Sequence, residues 1–586
     1  MGMPRSGMQG IRRDKAGVSG AIEMELTRRV VLGSALGFLV DSTLAANAAG
    51  LDADKNPDNP STPAQQGTVD QAAEFIANAA TEIPTLTATR VADPRTVKPI
   101  RDENEYLRWR MEPVEEADSI DRRLFKSGET VYLDFGRHMT GYFSLYAEGI
   151  GINIDSPARV RFTFGEVPGD VAEDFHPYKG QLAASWLPDE VFNLDPLPCS
   201  FTVPRRHAFR YVRLDVLSTS PKFAAKFSRL EVSSVSSAEG NPPALPSNCS
   251  PLAREIDRAA LATLQNCMQT VFEDGPRRDQ RLWMGDLRLQ ALANYATFKN
   301  FRLVKRCLYL LAAFPEENGM VRACVFEKPS PRRSGDTILD YACIFAALLR
   351  EYFDHTGDTQ TCKNLWPTVV RQIELAQTYI GANGAFVDPQ SIWIFIDWNE
   401  KLHRDASMQG VILFALRNAE FLAGRLGDSA NERRFGGLAR HLAEASLEHF
   451  FDRELQLFVS GPDRQVSWAS QAWLTLGGAL PVAQSAALMR RALAHKDILA
   501  PSTPYLYHYV VEAMVSCGLR EEADALIASY WGGMVRRGAD TFWEVYDPND
   551  SLASPYGDVH INSFCHAWSC TPAYFFRKFG LGASAA

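Results

Sequence analysis

The residues with the clearest potential for chemistry are the carboxylates of a short charged segment between two apolar stretches. The segment runs from Glu273 to Asp286 and reads EDGPRRDQRLWMGD, with four carboxylates, three arginines and Trp283. Carboxylates this close together raise one another's pKa, and interleaved arginines can hold them in place. A solvated charged turn, the other interpretation, leaves the large apolar ring of Trp283 unexplained. The pattern favours a functional site over a solvated charged turn.

The charged segment is expected to be a loop between helices. Gly275 and Pro276 break the helix that precedes it. From Leu252 onward apolar residues recur with helical spacing, as in the series Ile256, Ala260, Leu264, Cys267 and Val271. About ten or more helices without intervening strands are expected in this region, and no repeat of fixed length is evident. These features predict an (α/α)6 barrel over residues 251–586, with its site built from loops at one rim.

The region before the barrel has the alternation typical of strands. Val131, Leu133 and Phe135 alternate with polar neighbours, and the same pattern recurs at residues 160–164 and 212–216. Each run is short and is bounded by Gly, Pro or Asp. The pattern predicts an antiparallel β-sandwich over residues 69–250, closed by the Pro-rich segment 241–251. The predicted fold class is therefore a multidomain chain, all-β followed by all-α.

The amino terminus resembles an export signal. Arg28 and Arg29 precede an apolar run from Val30 to Leu44, and the small residues Ala46-Asn47-Ala48 follow it. Paired arginines before a modest apolar stretch are typical of the twin-arginine type of signal, and Asp41 argues against a retained anchor. We therefore expect residues 1–49 to be a signal with an N-terminal extension, residues 50–68 to be a linker, and the protein to be periplasmic or secreted.

Composition excludes several functional classes. With 61 basic and 70 acidic residues the net charge is −9, so no basic surface for nucleic acid is expected. No later segment has the length of a membrane span. The ten cysteines form no Cys-x-x-Cys pair, and neither a phosphate loop nor Gly-x-Ser-x-Gly occurs. We expect no metal, no cofactor and no membrane partner, and the sequence does not indicate an oligomeric state.

The charged segment resembles the signature of bacterial α-L-rhamnosidases, glycoside hydrolase family 78. That signature reads Asp-Cys-Pro-x-Arg-(Asp)-Glu-Arg-x-Gly-Trp-x-Gly-Asp. The matching positions here are Asp274, Pro276, Arg278, Trp283, Gly285 and Asp286.

Further blocks extend this resemblance. Residues 538–544 read GADTFWE and resemble the family's Gly-Ala-Thr-Thr-x-Trp-Glu, and residues 563–569 read SFCHAWS and resemble its Ser-Leu-(Asn/Cys)-His stretch. In the predicted sandwich, residues 133–141 and 209–212 are similar to the domain that precedes the family's barrel. The resemblance runs from about residue 125 to about residue 580 and implies an inverting glycoside hydrolase.

The resemblance assigns the two catalytic roles. The glutamate of the Trp-Glu block deprotonates the attacking water, which implies that Glu544 is the general base. The acid of the first block falls on Asp279, where the family has glutamate. An alternative alignment places Gln280 there, and a glutamine cannot donate the proton. Inverting pairs stand roughly 6.5–9.5 Å apart.

The remaining candidates would bind the sugar. Asp274 and Asp286 would bind hydroxyls and keep the acid's pKa high, and Arg278 would hold the carboxylates. The other candidates are Trp283 and Trp543 as apolar walls, Asp397 and Trp398 as a hydroxyl contact beside a ring face, and His566 as a sugar contact. The sequence around Asp397 is equally compatible with a cap between helices. For His566 the alternative is a position in the hydrophobic core. Glu166 in the sandwich is interpreted as structural.

Three functions remain compatible with the sequence. The leading hypothesis is hydrolysis of a terminal α-L-rhamnoside or related deoxysugar in an oligosaccharide, polysaccharide or other glycoside. A polysaccharide lyase or unsaturated-uronide hydrolase is the second, because the same barrel fold supports both activities. A non-catalytic carbohydrate-binding homologue is the third, and the choice between Asp279 and Gln280 keeps it open.

Overall fold

The computed structural model describes residues 63–583, with side chains from residue 71 onward. The predicted export signal and most of the predicted linker lie outside the described residues. The first described element is helix α1 (Pro63–Thr81), which begins inside the segment predicted as linker. A compact unit begins at Asp70 and contains both domains described below. No helix in the described range combines the length and apolar character needed to cross a bilayer.

The first domain is a nine-stranded antiparallel sheet. Its strands are ordered β1-β9-β4-β8-β5-β6, with β2 and β7 pairing with β4, and β3 pairing with β2. A short helix, α2 (Pro168–Ala172), follows β5. The strands are β1 (Thr87–Ala92), β2 (Arg95–Arg101), β3 (Trp109–Pro113), β4 (Thr130–Gly151), β5 (Ala158–Gly165), β6 (Asp189–Leu194), β7 (Cys199–Thr202), β8 (His207–Ser218) and β9 (Phe223–Ser236).

The sheet folds over on itself, as the predicted sandwich requires. Strands β6 and β7 lie four places apart along the hydrogen-bonded path, which in a flat sheet would separate them by about 19 Å. The ring centroids of Phe192 on β6 and Phe201 on β7 are nevertheless 5.0 Å apart. The fold centres on the long strand β4, which pairs with β8 on both sides of an irregularity between Asp134 and Met139 and with β9 from Gly141 onward. Its alternating apolar residues, predicted from Val131 and Leu133, are buried in the core.

The second domain is helical. From residue 251 to residue 579 the described chain forms twelve helices: α3 (Pro251–Cys267), α4 (Met284–Ala296), α5 (Phe301–Ala312), α6 (Leu339–Thr356), α7 (Thr359–Gln377), α8 (Asp405–Leu426), α9 (Ser429–His449), α10 (Trp468–Leu476), α11 (Val482–Ala494), α12 (Pro504–Ser516), α13 (Arg520–Arg536) and α14 (Pro572–Phe579). Short strands in its loops are β10 (Leu282–Trp283), β11 (Cys324–Phe326), β12 (Arg332–Arg333), β13 (Phe451–Asp452) and β14 (Leu457–Phe458).

The helices form an inner and an outer ring. Each even-numbered helix from α4 to α12 packs against the next even-numbered one, and α14 packs against α4. Inner helices are buried nearly all round, and in α4 every residue from Met284 to Tyr295 is buried. Outer helices such as α9 bury a stripe that includes Phe435, Ala439 and Leu442. A helix that is apolar all round belongs in an interior, whereas an amphipathic one covers it. The predicted (α/α)6 barrel is confirmed.

The barrel collects the long loops at one rim. Because inner and outer helices alternate in direction, every loop that enters an inner helix lies at the same end. The segment 268–283 enters α4, the segment 378–404 enters α8, and the segment 537–571 enters α14. All the carboxylates predicted for the site belong to these loops or to the first turn of an inner helix. The topology thus brings residues from the beginning and the end of the helical domain's sequence together at one rim.

Helix α1 packs on the barrel although it precedes the sheet in sequence. The rings of Phe75 and Tyr309 on α5 lie 5.6 Å apart, and Arg306 Nη1 donates to the carbonyl of Ala79 at 2.7 Å. Arg302 Nε contacts Glu82 Oε2 at 2.6 Å just after the helix ends. The segment predicted as the start of the sandwich therefore begins with a helix that covers the helical domain.

Close approach of two inner helices at Gly410 generates a stability prediction. A Cβ at this position of α8 would lie 2.5 Å from the carbonyl carbon of Trp473 and 2.6 Å from the nitrogen of Leu474, both backbone atoms of α10. We expect Gly410→Ala to lower the free energy of unfolding by about 1–3 kcal/mol, because the helices must separate. Urea unfolding measures the change.

The matched control is Gly437→Ala in outer helix α9, where the nearest atom would be 3.9 Å away. We expect this variant to gain up to about 1 kcal/mol from helix propensity. If both variants changed stability equally, the close packing of α8 on α10 would not be the cause.

Candidate active site

A buried ion pair joins the two loops that carry the predicted catalytic residues. Arg278 Nη2, in the loop before α4, donates to Glu544 Oε2, in the loop before α14, at 2.5 Å. Arg278 Nε donates to the carbonyl of Ile561 at 2.8 Å, and its guanidinium lies over the ring of Tyr556, 4.4 Å from the centroid. Both charged side chains are nearly inaccessible to solvent. The pair therefore fixes the orientation of the Glu544 carboxylate.

The environment of Glu544 favours its ionised form. Tyr556 Oη donates to Glu544 Oε1 at 2.5 Å, and the backbone N–H of Ser563 donates to Oε2 at 3.1 Å. Burial raises the pKa of Glu544, but the charge of Arg278, the neighbouring His566 and these hydrogen bonds outweigh it and lower the pKa below its usual value. Glu544 is therefore a carboxylate at neutral pH, with both oxygens held in place.

Asp279 lies nearest to the other terminal nitrogen of the same guanidinium. Its Oδ1 is 3.7 Å from Arg278 Nη1. Asp279 and Gln280 both adopt left-handed backbone conformations, with φ of 60° and 51°. The side chain of Gln280 turns back and donates from Nε2 to the carbonyl of Pro276 at 2.8 Å. Of the two residues considered for the acid position, Asp279 faces the charged cluster and Gln280 supports the loop.

The Arg278 guanidinium limits the separation of the two carboxylates. It contacts Glu544 Oε2 at 2.5 Å and Asp279 Oδ1 at 3.7 Å. Because a planar guanidinium is about 2.3 Å across its terminal nitrogens, these two oxygens lie within roughly 8.5 Å of each other. This upper bound allows the separation of about 6.5–9.5 Å that inverting glycosidases use to place a water between substrate and base.

Two further aspartates have raised pKa values. Burial and the charges of Asp279 and Asp286 raise the pKa of Asp274 well above its usual value. Burial and the charge of Glu544 do the same to the pKa of Asp286, at the start of α4. Asp274 Oδ1 accepts a hydrogen bond from the backbone of Arg281 at 3.0 Å. A protonated carboxyl can donate as well as accept, which suits contacts with hydroxyl groups.

His566 completes the cluster with an unpaired nitrogen. Its Nδ1 lies 3.5 Å from Asp286 Oδ1, and neither atom has a hydrogen-bond partner although both are buried. Burial, together with the charge of Arg278, lowers the pKa of His566 to about 4, so the ring is neutral near pH 7. The indole Nε1 of Trp398 is likewise buried and without a partner. Buried polar atoms are usually paired, so these three unpaired atoms are exceptions.

Comparisons with known proteins agree with this geometry. Residues 247–579 match the family model described as the bacterial alpha-L-rhamnosidase 6 hairpin glycosidase domain, and residues 94–234 match the glycosyl hydrolase family 78 alpha-rhamnosidase N-terminal domain. The chain belongs to glycoside hydrolase family 78. It is a glycosidase of the α-L-rhamnosidase type, and this membership favours hydrolysis over the lyase and binding-only alternatives.

Solved structures show the same architecture. The chain is similar to a rhamnosidase from Klebsiella oxytoca with rhamnose bound, with a TM-score of 0.85, 42% identity, and coverage of 87% of this chain and 99% of that one. It shares its fold with the family 78 rhamnosidase of Bacillus sp. GL1, at a TM-score of 0.66 and 21% identity, covering 80% of this chain and 49% of that one. The Streptomyces avermitilis α-L-rhamnosidase complexed with L-rhamnose gives a TM-score of 0.60 and 17% identity, covering 84% and 44%. This chain thus spans about half the length of the last two. A search of curated protein sequences found no match.

Two residues predicted as sugar contacts of this family 78 protein are packed or hydrogen-bonded within the protein. Trp543 is 1% exposed, and its ring centroid lies 4.1 Å from that of Tyr106. Asp397 accepts from the backbone of Ser502 at 2.6 Å and from Thr503 Oγ1 at 2.5 Å. These bonds hold the loop before α12 against the loop that carries Asp397. This arrangement is the one that the interhelical-cap interpretation proposed.

Two aromatic residues border the site. Trp283 is half-buried and pairs with Cys324 through the short strands β10 and β11. The ring of Trp398 meets that of Tyr556 edge-on at 6.0 Å. Since Tyr556 also contacts Glu544 and Arg278, only the Tyr556 side chain separates the Trp398 ring from the Glu544 carboxylate. These positions suit apolar contact with a sugar ring.

Sequence reasoning missed Tyr556 and Ser563 as partners of Glu544. Tyr556 lies in an irregular stretch without periodicity or motif, so no local signal distinguishes it. Ser563 falls within a block that resembles the family, but its contribution is a backbone N–H, which residue type does not reveal. In the described part of the chain no group of three or more His, Cys, Asp or Glu side chains is placed to hold a metal ion.

The position of Asp397 generates a stability prediction. Burial raises the pKa of Asp397 to about 6, and its hydrogen bonds join two loops of the rim. We expect Asp397→Ala to lower the free energy of unfolding by about 2–4 kcal/mol, because it removes two bonds to a charged acceptor and leaves donors unpaired. Thermal unfolding at pH 7.5 measures the loss.

The control is Asp388→Ala in the same loop, where the carboxylate accepts one exposed backbone hydrogen bond from Gln390. We expect a change of less than about 1 kcal/mol there. Equal melting temperatures for wild type and Asp397→Ala would contradict the structural role.

Proposed function

We propose that this protein hydrolyses terminal α-L-rhamnosides, or glycosides of a closely related deoxysugar, with inversion of configuration. The observation that supports this best is the pair of carboxylates, Glu544 and Asp279, on either side of the Arg278 guanidinium. Rhamnose as the sugar is supported by the 42% identical relative from Klebsiella oxytoca, which was solved with rhamnose bound.

The reaction is a single displacement. A water molecule attacks the anomeric carbon while Glu544 takes one of its protons. The bond from the anomeric carbon to the glycosidic oxygen breaks, and Asp279 gives that oxygen a proton, so the products are the free sugar and an alcohol. Arg278 keeps Glu544 ionised before the proton arrives. Every step uses side chains of this chain, and the proposal requires no cofactor.

The sugar's hydroxyl groups would find unpaired partners in the cluster. Asp286 Oδ1, His566 Nδ1 and Trp398 Nε1 are buried without hydrogen bonds. Leaving such an atom unpaired costs about 1–3 kcal/mol, so a ligand that pairs it gains affinity. Acceptors and donors in close proximity suit a polyol, and the bordering rings of Trp398 and Trp283 suit the sugar's apolar face.

The predicted signal at residues 1–49 supports a location outside the cytoplasm. Paired arginines, an apolar run and small residues occur in the order that export requires. We therefore propose that the enzyme acts in the periplasm or outside the cell, on rhamnose-containing oligosaccharides, polysaccharides or other glycosides.

Substrate variation separates the two catalytic roles. With an aryl rhamnoside whose leaving group is nitrophenolate, little protonation is needed, so Asp279→Asn should lose far less activity than it does on an alkyl rhamnoside. Glu544→Gln should lose kcat by about 10²–10⁴-fold on both substrates, because the water always needs a base. Proton NMR of the first sugar formed by wild type should show the inverted anomer.

Exposed Glu521 on outer helix α13 provides the control, and Glu521→Gln should keep full activity. Net retention in the NMR experiment would contradict the single displacement. Full turnover by Glu544→Gln would remove the base assignment.

The hydrogen bond from Tyr556 generates a pH prediction. Since this bond helps to lower the pKa of Glu544, Tyr556→Phe should raise that pKa. Glu544 acts as a carboxylate, so the acid limb of the kcat/KM profile should move to higher pH, by about one unit for one charged hydrogen bond. The profile is measured from pH 3.5 to pH 8.

Tyr530→Phe serves as the control, because it also removes a buried hydroxyl hydrogen bond, to the carbonyl of Tyr546, without touching Glu544. It should lower the melting temperature and leave the acid limb in place. An unchanged limb in Tyr556→Phe would show that this bond does not tune the base.

A further inference from the structure

Two acidic residues of the sheet domain reach into the rim of the barrel. Glu166 follows strand β5 and Asp170 lies on the short helix α2. Both side chains are fully buried, and both bind segments that carry the catalytic centre. Glu166 had been interpreted as structural, and neither residue belongs to the cluster described above.

Asp170 holds the residue next to Arg278. Arg277 Nη1 donates to Asp170 Oδ2 at 2.5 Å, and Nη2 donates to Oδ1 at 3.1 Å. Arg277 Nη2 also donates to the carbonyl of His560 at 2.6 Å. One bidentate pair therefore ties the loop before α4 and the loop before α14 to the sheet domain.

Glu166 holds the residue next to Ser563. The backbone N–H of Phe564 donates to Glu166 Oε2 at 2.6 Å, and His138 Nε2 lies 2.8 Å from Oε1. The backbone N–H of Glu166 donates to Asp170 Oδ2 at 2.9 Å, so the two acids form one network. Phe564 directly follows Ser563, whose backbone N–H binds Glu544.

The location of these charges argues for a positioning role. Burying an ion pair gains little stability compared with apolar packing, because both charges lose their hydration. What such a pair provides is a defined geometry. Both contacts end one residue from a group that touches Glu544: Arg277 precedes Arg278, and Phe564 follows Ser563.

We propose that Glu166 and Asp170 are positioning residues of the catalytic centre, holding Arg278 and Ser563 against Glu544 from the neighbouring domain. The sheet domain then forms part of the active-site scaffold. This inference rests on the proposed function in one respect, that Glu544 is the base whose alignment limits turnover. A displacement of about 1 Å at such a centre can cost about 10²-fold in rate.

The test compares Glu166→Ala, Glu166→Gln and Asp170→Asn in the full chain. Glu166→Ala removes the acceptor for Phe564, and we expect kcat to fall by about 10- to 100-fold with KM changed less than threefold. The acid limb of the pH profile should move to higher pH, because the ionised form of Glu544 loses part of its stabilisation. Glu166→Gln keeps an oxygen acceptor and should recover most of kcat.

Asp170→Asn keeps the shape of the side chain and removes its charge. It therefore tests the inference even if Glu166→Ala does not fold. We expect it to lower kcat by about tenfold and to shift the acid limb in the same direction. The matched control is Asp257→Ala, which removes a buried bidentate pair with Arg577 between α3 and α14. It should lower the melting temperature while leaving kcat and the pH profile unchanged.

Hydrogen exchange gives a readout that does not depend on activity. Well below the melting temperature, peptides covering residues 540–546 and 560–567 should exchange faster in Glu166→Ala and Asp170→Asn, and at the wild-type rate in Asp257→Ala. Unchanged exchange there, with kcat and acid limb as in wild type, would overturn the inference. If exchange were faster in these variants but the wild-type protein did not hydrolyse rhamnosides, the proposed function would be overturned and the positioning role would stand.

Discussion

The site depends on the burial of one guanidinium between two loops, one from the beginning and one from the end of the helical domain's sequence. A buried charge costs several kcal/mol unless it is paired and hydrogen-bonded. Arg278 is compensated by Glu544, by the carbonyl of Ile561 and by the face of Tyr556. Any displacement of the loop before α14 would remove Glu544 as a partner of this charge. The two halves of the site are therefore coupled energetically.

The pKa values of the carboxylates in this cluster are shifted in opposite directions. Arg278 and Tyr556 lower the pKa of Glu544, whereas burial near like charges raises the pKa of Asp274 and Asp286. Groups of one chemical type thus take different roles because their partners differ. A base must be ionised and a hydroxyl-binding carboxyl can be neutral, and the cluster provides both within one buried volume.

The sequence predicted the architecture because periodicity is a local property. The helical spacing after Leu252 and the alternation around Val131 each follow from a few adjacent residues. Arg278, Glu544 and His566 were accessible in the same way, since they lie in short recognisable blocks. The surroundings of Trp543 could not be predicted from the sequence, because a tryptophan serves equally as an apolar wall of a sugar site or as part of the hydrophobic core. The choice is made by Tyr106, a residue far earlier in the chain that packs on its ring.

The position of the Asp279 carboxylate depends on an unusual backbone conformation. The resembled family has glutamate at this position, and a shorter side chain alone would leave the carboxylate farther from the sugar. Here Asp279 and Gln280 both adopt left-handed conformations, which cost roughly 1–2 kcal/mol for each residue that is not glycine. The backbone N–H of Asp274 donates to the carbonyl of Arg281, and the N–H of Arg281 donates to Asp274 Oδ1. Together with the side chain of Gln280 on Pro276, these bonds close the turn that carries this strain. Strain retained in this way is typical of functional sites, and it turns Asp279 towards Arg278. The position of the Asp279 carboxylate is thus set by the turn, which is why the sequence alone left Asp279 and Gln280 as alternatives.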